Sequence, residues 1–122
     1  MPTVITDGGK KVIIDALNGV APSHVGWGTG EGTTSEEDTS LFTEASEDRV
    51  DGTNSVITTS VTDDTYQVVA EMIADGTKTV TNAGLFTAST EGDLVFKTDF
   101  DGVPLEENDK IEFTFKIQQT SA

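Results

Sequence analysis

Turn-forming residue pairs recur along the second half of the chain, about every 10 to 12 residues, and this spacing limits the fold more than any other feature. The pairs are Asp51-Gly52, Asp63-Asp64, Asp75-Gly76, Glu91-Gly92 and Asp101-Gly102. Runs rich in β-branched and aromatic residues lie between them. Short strands separated in this way are typical of a sandwich or barrel rather than of βαβ units. The spacing therefore predicts a mainly antiparallel β fold.

Six segments are predicted as strands: residues 24–28, 55–61, 65–74, 82–88, 93–100 and 110–118. The last segment, KIEFTFKIQ, has the clearest alternation, with an apolar residue at 111, 113, 115 and 117 and a polar residue between each. Such a strand has one face in the core and the other towards water or a partner.

One amphipathic helix is predicted at about 7–19, before the first strand. Thr6 or Asp7 is suited to cap its start, and Gly19 to end it in the left-handed conformation. An apolar stripe is formed by Ile13, Ala16, Leu17 and Val20. A single stripe indicates a helix that lies on a sheet. We therefore expect one domain over 1–122, with strands from about 23 to 119: an antiparallel β-sandwich or jelly-roll-like barrel with one N-terminal α-helix.

The charge balance excludes one class of partner. Twenty-two acidic residues against seven basic ones give a net charge of −15, spread along the chain. Nucleic acid is not an expected partner, since phosphate binding needs clusters of Lys and Arg. An evenly acidic surface suits a protein that works in molar salt, where the Debye length shrinks to about 3 Å. An ordinary acidic soluble domain is the alternative.

Two absences narrow the setting further. The chain has no cysteine, which excludes disulfides and thiolate metal sites. It has no apolar run of about 20 residues, and its first residues, MPTVITDGGKK, lack the order of a signal peptide. We therefore expect synthesis in the cytoplasm and no membrane partner.

The segment GWGTGEGTTSEEDTSLFTE, residues 26–44, is rich enough in glycine to suggest a phosphate-binding loop. A P-loop needs a lysine after its last glycine, and none occurs between Lys11 and Lys78. The dinucleotide pattern G-x-G-x-x-G also fails, because Glu31 or Thr33 stands where the third glycine belongs. We instead expect a close-packed strand, a solvated acidic loop, and the pair Leu41-Phe42 returning to the core.

Candidate chemistry is sparse. The pairs Asp63/Asp64 and Asp99/Asp101 are weak candidates for cation binding, since neither has the residue order of an EF-hand loop. His24 is the single histidine, and no G-x-S-x-G serine is present. We therefore expect no enzymatic activity, no catalytic residue and no cofactor beyond weakly bound counter-ions.

Structural and interface roles are the alternative use of the distinctive residues. Trp27, between two glycines, suits a core position whose neighbours must stay small, or a stacking platform for a sugar. Arg49 stands among four acids and suits an ion pair within the chain or between subunits. Leu41 and Phe42, with Ile13 and Leu17 of the helix, complete the candidate interface or structural residues.

The order of these features resembles a family of virion proteins. DALNG at the end of the helix, the strand HVGWGTG, and the later Val80, Ala83, Gly84, Leu85 and Phe86 followed by LVFK are similar to small decoration-like or tail-fibre-like proteins of tailed phages and archaeal tailed viruses. The resemblance covers nearly the whole chain. It implies a compact β-domain without catalytic residues, mounted on a particle.

The expected function is therefore that of a capsid-associated decoration or vertex (turret) protein, contacting its own copies and the major capsid protein. The acidic composition points to a virus of a halophilic archaeon. A tail, baseplate or fibre component that contacts the host surface is the first alternative. A secreted carbohydrate- or ion-binding β-module is the second.

Overall fold

The computed structural model describes residues 3–120. The protein is mainly β, with 44% strand and 12% helix. In chain order the elements are α1 (Asp7–Val20), β1 (His24–Gly28), β2 (Val50–Asp51), β3 (Thr53–Ile57), β4 (Thr65–Ile73), β5 (Lys78–Phe86), β6 (Leu94–Leu105) and β7 (Lys110–Gln118). The strands form two antiparallel sheets, so the predicted β-sandwich with one N-terminal helix is confirmed.

Sheet A has the strand order β2-β1-β5-β6, and sheet B has the order β3-β4-β7. The chain passes from sheet A to sheet B at Gly52, between β2 and β3. A Cβ atom at Gly52 would lie 2.7 Å from the Val68 side chain and 2.8 Å from the Val69 carbonyl oxygen. Asp51-Gly52, predicted as a turn, is therefore a crossover between sheets, where the close approach of β4 requires glycine.

The core lies between the sheets and is made from the alternate residues of the central strands. Its largest fully buried members are Trp27 of β1, Tyr66 and Met72 of β4, and Leu85 of β5. The indole of Trp27 meets the ring of Phe113 edge to face, with centroids 6.3 Å apart. Trp27 is therefore a core residue, as one of its two sequence interpretations predicted.

Helix α1 begins as predicted but turns a different face to the sheet. The Thr6 hydroxyl caps it by accepting a hydrogen bond from the Gly9 amide at 3.1 Å. The helix ends at Ala21, which has φ 55° and donates its amide to the Leu17 carbonyl, so the prediction of Gly19 as terminator is wrong. Ile14 is the buried residue of the helix, and Leu17 packs against the same core.

The predicted apolar stripe of α1 is therefore mostly the outer face. Ile13 is 46% exposed and Val20 is 73% exposed, although both belong to the row that was expected to pack on the sheet. Two apolar rows meet at Leu17 of the predicted stripe, and the one that reaches the core runs through Ile14, about 100° round the helix from Ile13. Sequence periodicity alone does not distinguish two such rows.

Strand boundaries agree with the prediction at β1 and β7 and differ elsewhere. β3 ends at Ile57 instead of Val61, β5 begins at Lys78, and β2 was not predicted. β6 continues through Asp101-Gly102, which was predicted as a turn. Gly102 lies where a Cβ atom would be 2.6 Å from the Thr79 methyl, so glycine here permits close pairing of β5 and β6. The reversal before β7 is at residues 106–109.

Candidate interaction surfaces

The glycine-rich segment provides the surface on which residues 42–44 pack. A Cβ atom at Gly28 would lie 2.5 Å from the Phe42 carbonyl oxygen, and one at Gly30 would lie 2.6 Å from the Thr43 hydroxyl. The Gly30 amide donates to the Phe42 carbonyl at 2.8 Å. These glycines therefore make room for residues 42–44 on the outer face of sheet A. The prediction that Gly26 and Gly28 leave room around Trp27 is wrong, since both glycines face residues of the outer side and Trp27 points to the opposite face.

Asn82 of β5 holds the same segment from below. Its side-chain oxygen accepts from the Phe42 amide at 3.0 Å, and its side-chain nitrogen donates to the Phe42 carbonyl at 3.1 Å. Asn82 is fully buried, so both ends of its amide are satisfied within the protein. Leu41 is also buried, beside Gly84, but it lies on this outer face and not in the core between the sheets. The predicted burial of Leu41 is confirmed, but Leu41 packs on this outer face and Phe42 is only half-buried, so the expectation that the pair returns to the core between the sheets is corrected.

Residues 41–44 form a cover on the outer face of sheet A, hereafter the cover. Lys97 of β6 holds the other side of the cover. Its ammonium lies 3.3 Å from the centre of the Phe42 ring and 2.8 Å from the Asp38 carboxylate. The hydrogen bond from Lys97 lowers the pKa of Asp38 below its ordinary value. The Lys97 side chain is only 4% exposed, so the pair and the ring contact are shielded from water. The acidic loop is therefore tied to the sheet at Asp38.

Arg49 makes an ion pair, backbone hydrogen bonds and a ring contact within the chain. Its guanidinium makes a two-pronged ion pair with the Glu44 carboxylate, at 2.8 and 2.9 Å. It also donates to the carbonyls of Ala88 and Glu91, at 3.0 and 2.7 Å, and lies 3.4 Å above the Phe86 ring. The intramolecular interpretation of Arg49 fits this geometry, in which the side chain ties the 88–91 loop to the cover.

A second buried ionic group lies beneath Trp27. The Glu47 carboxylate accepts from the Trp27 indole N–H at 2.8 Å and from the Asp75 amide at 2.9 Å, and it pairs with Lys78. Burial by itself would raise the pKa of Glu47, but the hydrogen bonds from Lys78, Asp75 and Trp27 outweigh it and lower the pKa to about 2. Glu47 is thus a charged, fully hydrogen-bonded link between the core and the surface.

The candidate cation ligands are already used as structural groups. The Asp64 carboxylate accepts from the amides of Thr59, Ser60 and Val61, at 2.8, 3.1 and 3.0 Å, and from the Gln118 side chain at 3.1 Å. Burial opposes its charged form, yet these donors hold its pKa far below the ordinary value. An anionic oxygen surrounded by N–H donors has no lone pair directed at a metal ion, so Asp64 organises the turn before β4.

Asp63 and Asp99 already have partners within the chain, and Asp99 lines the same cavity as Asp101. The Asp63 carboxylate lies 3.5 Å from the Lys11 ammonium, and the Asp99 carboxylate accepts from the Thr34 amide at 3.2 Å. Asp101 lies two residues along β6 from Asp99. Within residues 3–120, no group of three or more His, Cys, Asp or Glu side chains is placed to hold a metal ion.

The first uncovered apolar surface is the outer face of α1 and the residues before it, hereafter the outer helix face. It consists of Val4, Val12, Ile13 and Val20, which are exposed by 74, 67, 46 and 73%. Of the two helix residues predicted as interface or structural, Ile13 lies on this face and Leu17 lies on the buried side.

The second uncovered surface is a groove between β6 and β7, hereafter the β6–β7 groove. It has a volume of about 430 Å³ and is lined mainly by Phe100, Val103, Ile111, Phe113 and Phe115. The rings of Phe113 and Phe115 stack with centroids 6.0 Å apart. The alternation of β7 was predicted from the sequence, but the groove was not. The alternation does not show that β6 and β7 are both edge strands.

Comparisons of the chain with protein-family models, with curated proteins and with solved structures find no match. Of the part of the chain that the structure describes, no helix has the length and apolar character needed to cross a membrane. A function for the chain is therefore inferred from its surfaces.

Proposed function

We propose that this chain is a non-enzymatic structural protein of a virion, a capsid-associated decoration or vertex protein that acts through repeated contacts with its own copies and with the shell. The observation that carries this proposal is the pair of uncovered apolar surfaces, the outer helix face and the β6–β7 groove, on a strongly acidic domain. Exposed apolar patches rimmed by polar residues mark interaction sites.

The molecule has one face covered by its own chain and two uncovered apolar surfaces, and this division suits a role in repeated contacts. One face of sheet A is sealed by the chain itself, through Asn82, Lys97 and Arg49. The outer helix face and the groove are left for neighbours. In a particle, a modest contact repeated at every copy gains strength by avidity, because one engaged contact holds the next in position. The resemblance carried by residues 80–86 points to the same class.

Copy number per particle is the experiment that tests the proposal. Quantitative mass spectrometry of purified virions is expected to find this chain in tens to hundreds of copies. A count of three or six would assign it to the tail, baseplate or fibre. Absence from particles, together with binding to a carbohydrate or an ion in solution, would replace the proposal with that of a free binding module.

The proposed host setting has its own test. A net charge of −15 on 122 residues repels itself in dilute buffer, and molar salt screens that repulsion. We expect the melting temperature of the protein to rise substantially between dilute buffer and 1 M KCl. A melting temperature that does not depend on salt would exclude the halophilic setting and leave the virion role to be decided by copy number.

A further inference from the structure

The free edge of β7 differs from the other three sheet edges. β2 has only two residues, and β3 is short and lies against α1, with the Asn54 side chain donating to Asn18 at 2.8 Å. β6 contains Pro104, and its pairing with β5 is interrupted by register shifts. β7 has nine residues and pairs with β4 in one unbroken register. Short strands, proline and bulges protect an edge from pairing with another chain, and β7 has none of these; its charged residues, which also protect an edge, are Lys110, Glu112 and Lys116.

The sequence of β7 is complementary to itself. Antiparallel pairing of two copies about Thr114 sets Ile111 opposite Ile117, Glu112 opposite Lys116, and Phe113 opposite Phe115. Residues directly opposite in an antiparallel pair share a face of the sheet, so each apolar residue meets an apolar one and each charge meets its opposite. A two-fold axis through Thr114 makes every one of these pairs occur twice.

The charges of the monomer also favour a partner here. Glu112 lies directly opposite Glu71 of β4, an arrangement that is unfavourable for like charges and that the exposed Lys110 ammonium, 3.7 Å from the Glu71 carboxylate, offsets in part. Lys116 forms no ion pair with any residue in the range 3–120. β7 has two lysines and one glutamate in a chain of net charge −15, so it is one of the few places where two copies can approach without strong repulsion.

We propose that β7 pairs with β7 of a second copy, antiparallel and centred on Thr114, to join the two B sheets into one sheet of six strands. Lys116 of each copy then lies beside Glu112 of the other and relieves the Glu71–Glu112 pair. The rings of Phe113 and Phe115, half-buried in the monomer, are covered from the side of the β6–β7 groove. This inference rests on the proposed function in one respect only: the proposed function requires a contact between copies, and the β7 pairing names that contact.

Charge reversal in the full chain tests the pairing. Sedimentation at 0.15 M salt is expected to find the unmodified protein as a dimer. Glu112→Lys sets Lys against Lys in both halves of the interface, and Lys116→Glu sets Glu against Glu, so each variant is expected to raise the dissociation constant by about tenfold or more. An equal mixture of the two variants is expected to form the heterodimer, because both of its pairs are then of opposite charge. Glu36→Lys, on the acidic loop, changes the net charge by the same amount as Glu112→Lys and is expected to leave the dimer intact.

Circular dichroism on each variant shows that the fold is retained, which is expected because Glu112 and Lys116 are exposed and Glu112→Lys removes a like-charge pair. A monomeric unmodified protein overturns the proposal, as does a dimer that both reversals leave intact. The second result would move the contact to another surface such as the outer helix face and leave the virion role standing. Absence of the chain from virions would overturn that role without affecting the dimer.

Discussion

The outer face of sheet A and the β6–β7 side of the sandwich are both apolar, but only the first is covered by the chain itself. Residues 41–44 lie over Gly28 and Gly30 and are held by Asn82 and Lys97. At the other side, Phe113 and Phe115 line an open groove. Buried polar side chains fix the cover in one place, whereas the open side leaves β7 as an edge strand, where we propose that a second copy pairs.

The largest expected effect compares the two members of one aromatic contact. Trp27→Ala removes a side chain that is 1% exposed, and we expect it to lower the free energy of unfolding by about 3–5 kcal/mol. Phe113→Ala removes the partner ring on the open side, where only part of the side chain is buried, and should cost clearly less. Urea unfolding at fixed salt measures both. Equal losses would mean that the groove is packed as tightly as the centre of the core.

The cover over sheet A is tested by the smallest possible insertion. Gly28→Ala places a methyl 2.5 Å from the Phe42 carbonyl oxygen, and we expect a loss of about 1–3 kcal/mol as residues 42–44 are displaced. Gly76→Ala is the matched control, since a Cβ there meets nothing within 4 Å. Thermal unfolding separates them. Tolerance of alanine at Gly28 would show that the cover is not closely packed.

The fold could be predicted from sequence where the pattern is local. The alternation of residues 110–118 and the turn pairs were enough for the bounds of β7 and for the two-sheet class. The helix face could not be predicted, because the row through Ile13 and the row through Ile14 are both apolar. Asp101-Gly102 has the composition of a turn, yet tertiary pairing with Thr79 extends β6 through it.

The candidate surfaces were harder to predict, for a different reason. The glycines at 26, 28, 30 and 32 recur with the period of a strand, which signals one bare face. The sequence does not say that residues 42–44, more than ten positions later, occupy that face. Asn82 and Lys97 were overlooked because a buried amide or ammonium looks like any surface residue until its partners are known. The β6–β7 groove lies between two edge strands, and only the sheet order shows which strands are at the edges.

The ionic group beneath Trp27, formed by Glu47 and Lys78, should give the stability of the core a distinct pH dependence. The pKa of Glu47 is lowered to about 2 from 4.5, so its stabilising effect is complete above about pH 4.5 and is lost as the pH falls towards 2. Glu47→Gln should therefore cost about 1–2 kcal/mol at pH 7 and progressively less in acid. Urea unfolding between pH 7 and pH 2.5 measures the difference. Asp15→Asn breaks an exposed ion pair with Lys11 and should have little effect at any pH. A constant difference across this range would exclude the charge of Glu47 as its cause.

The smallest expected effect belongs to the outer helix face, and its smallness is what makes it informative. Val20 is 73% exposed, so Val20→Ser should change the free energy of unfolding by less than about 0.5 kcal/mol. Ile14, one row away on the same helix, is 1% exposed, and Ile14→Ala should cost about 2–5 kcal/mol. A large loss for Val20→Ser would show that this valine is buried in solution, by another copy or by another part of the chain. If stability is unchanged but recovery on particles falls, the outer helix face contacts a neighbour in the virion and contributes nothing to the monomer's own stability.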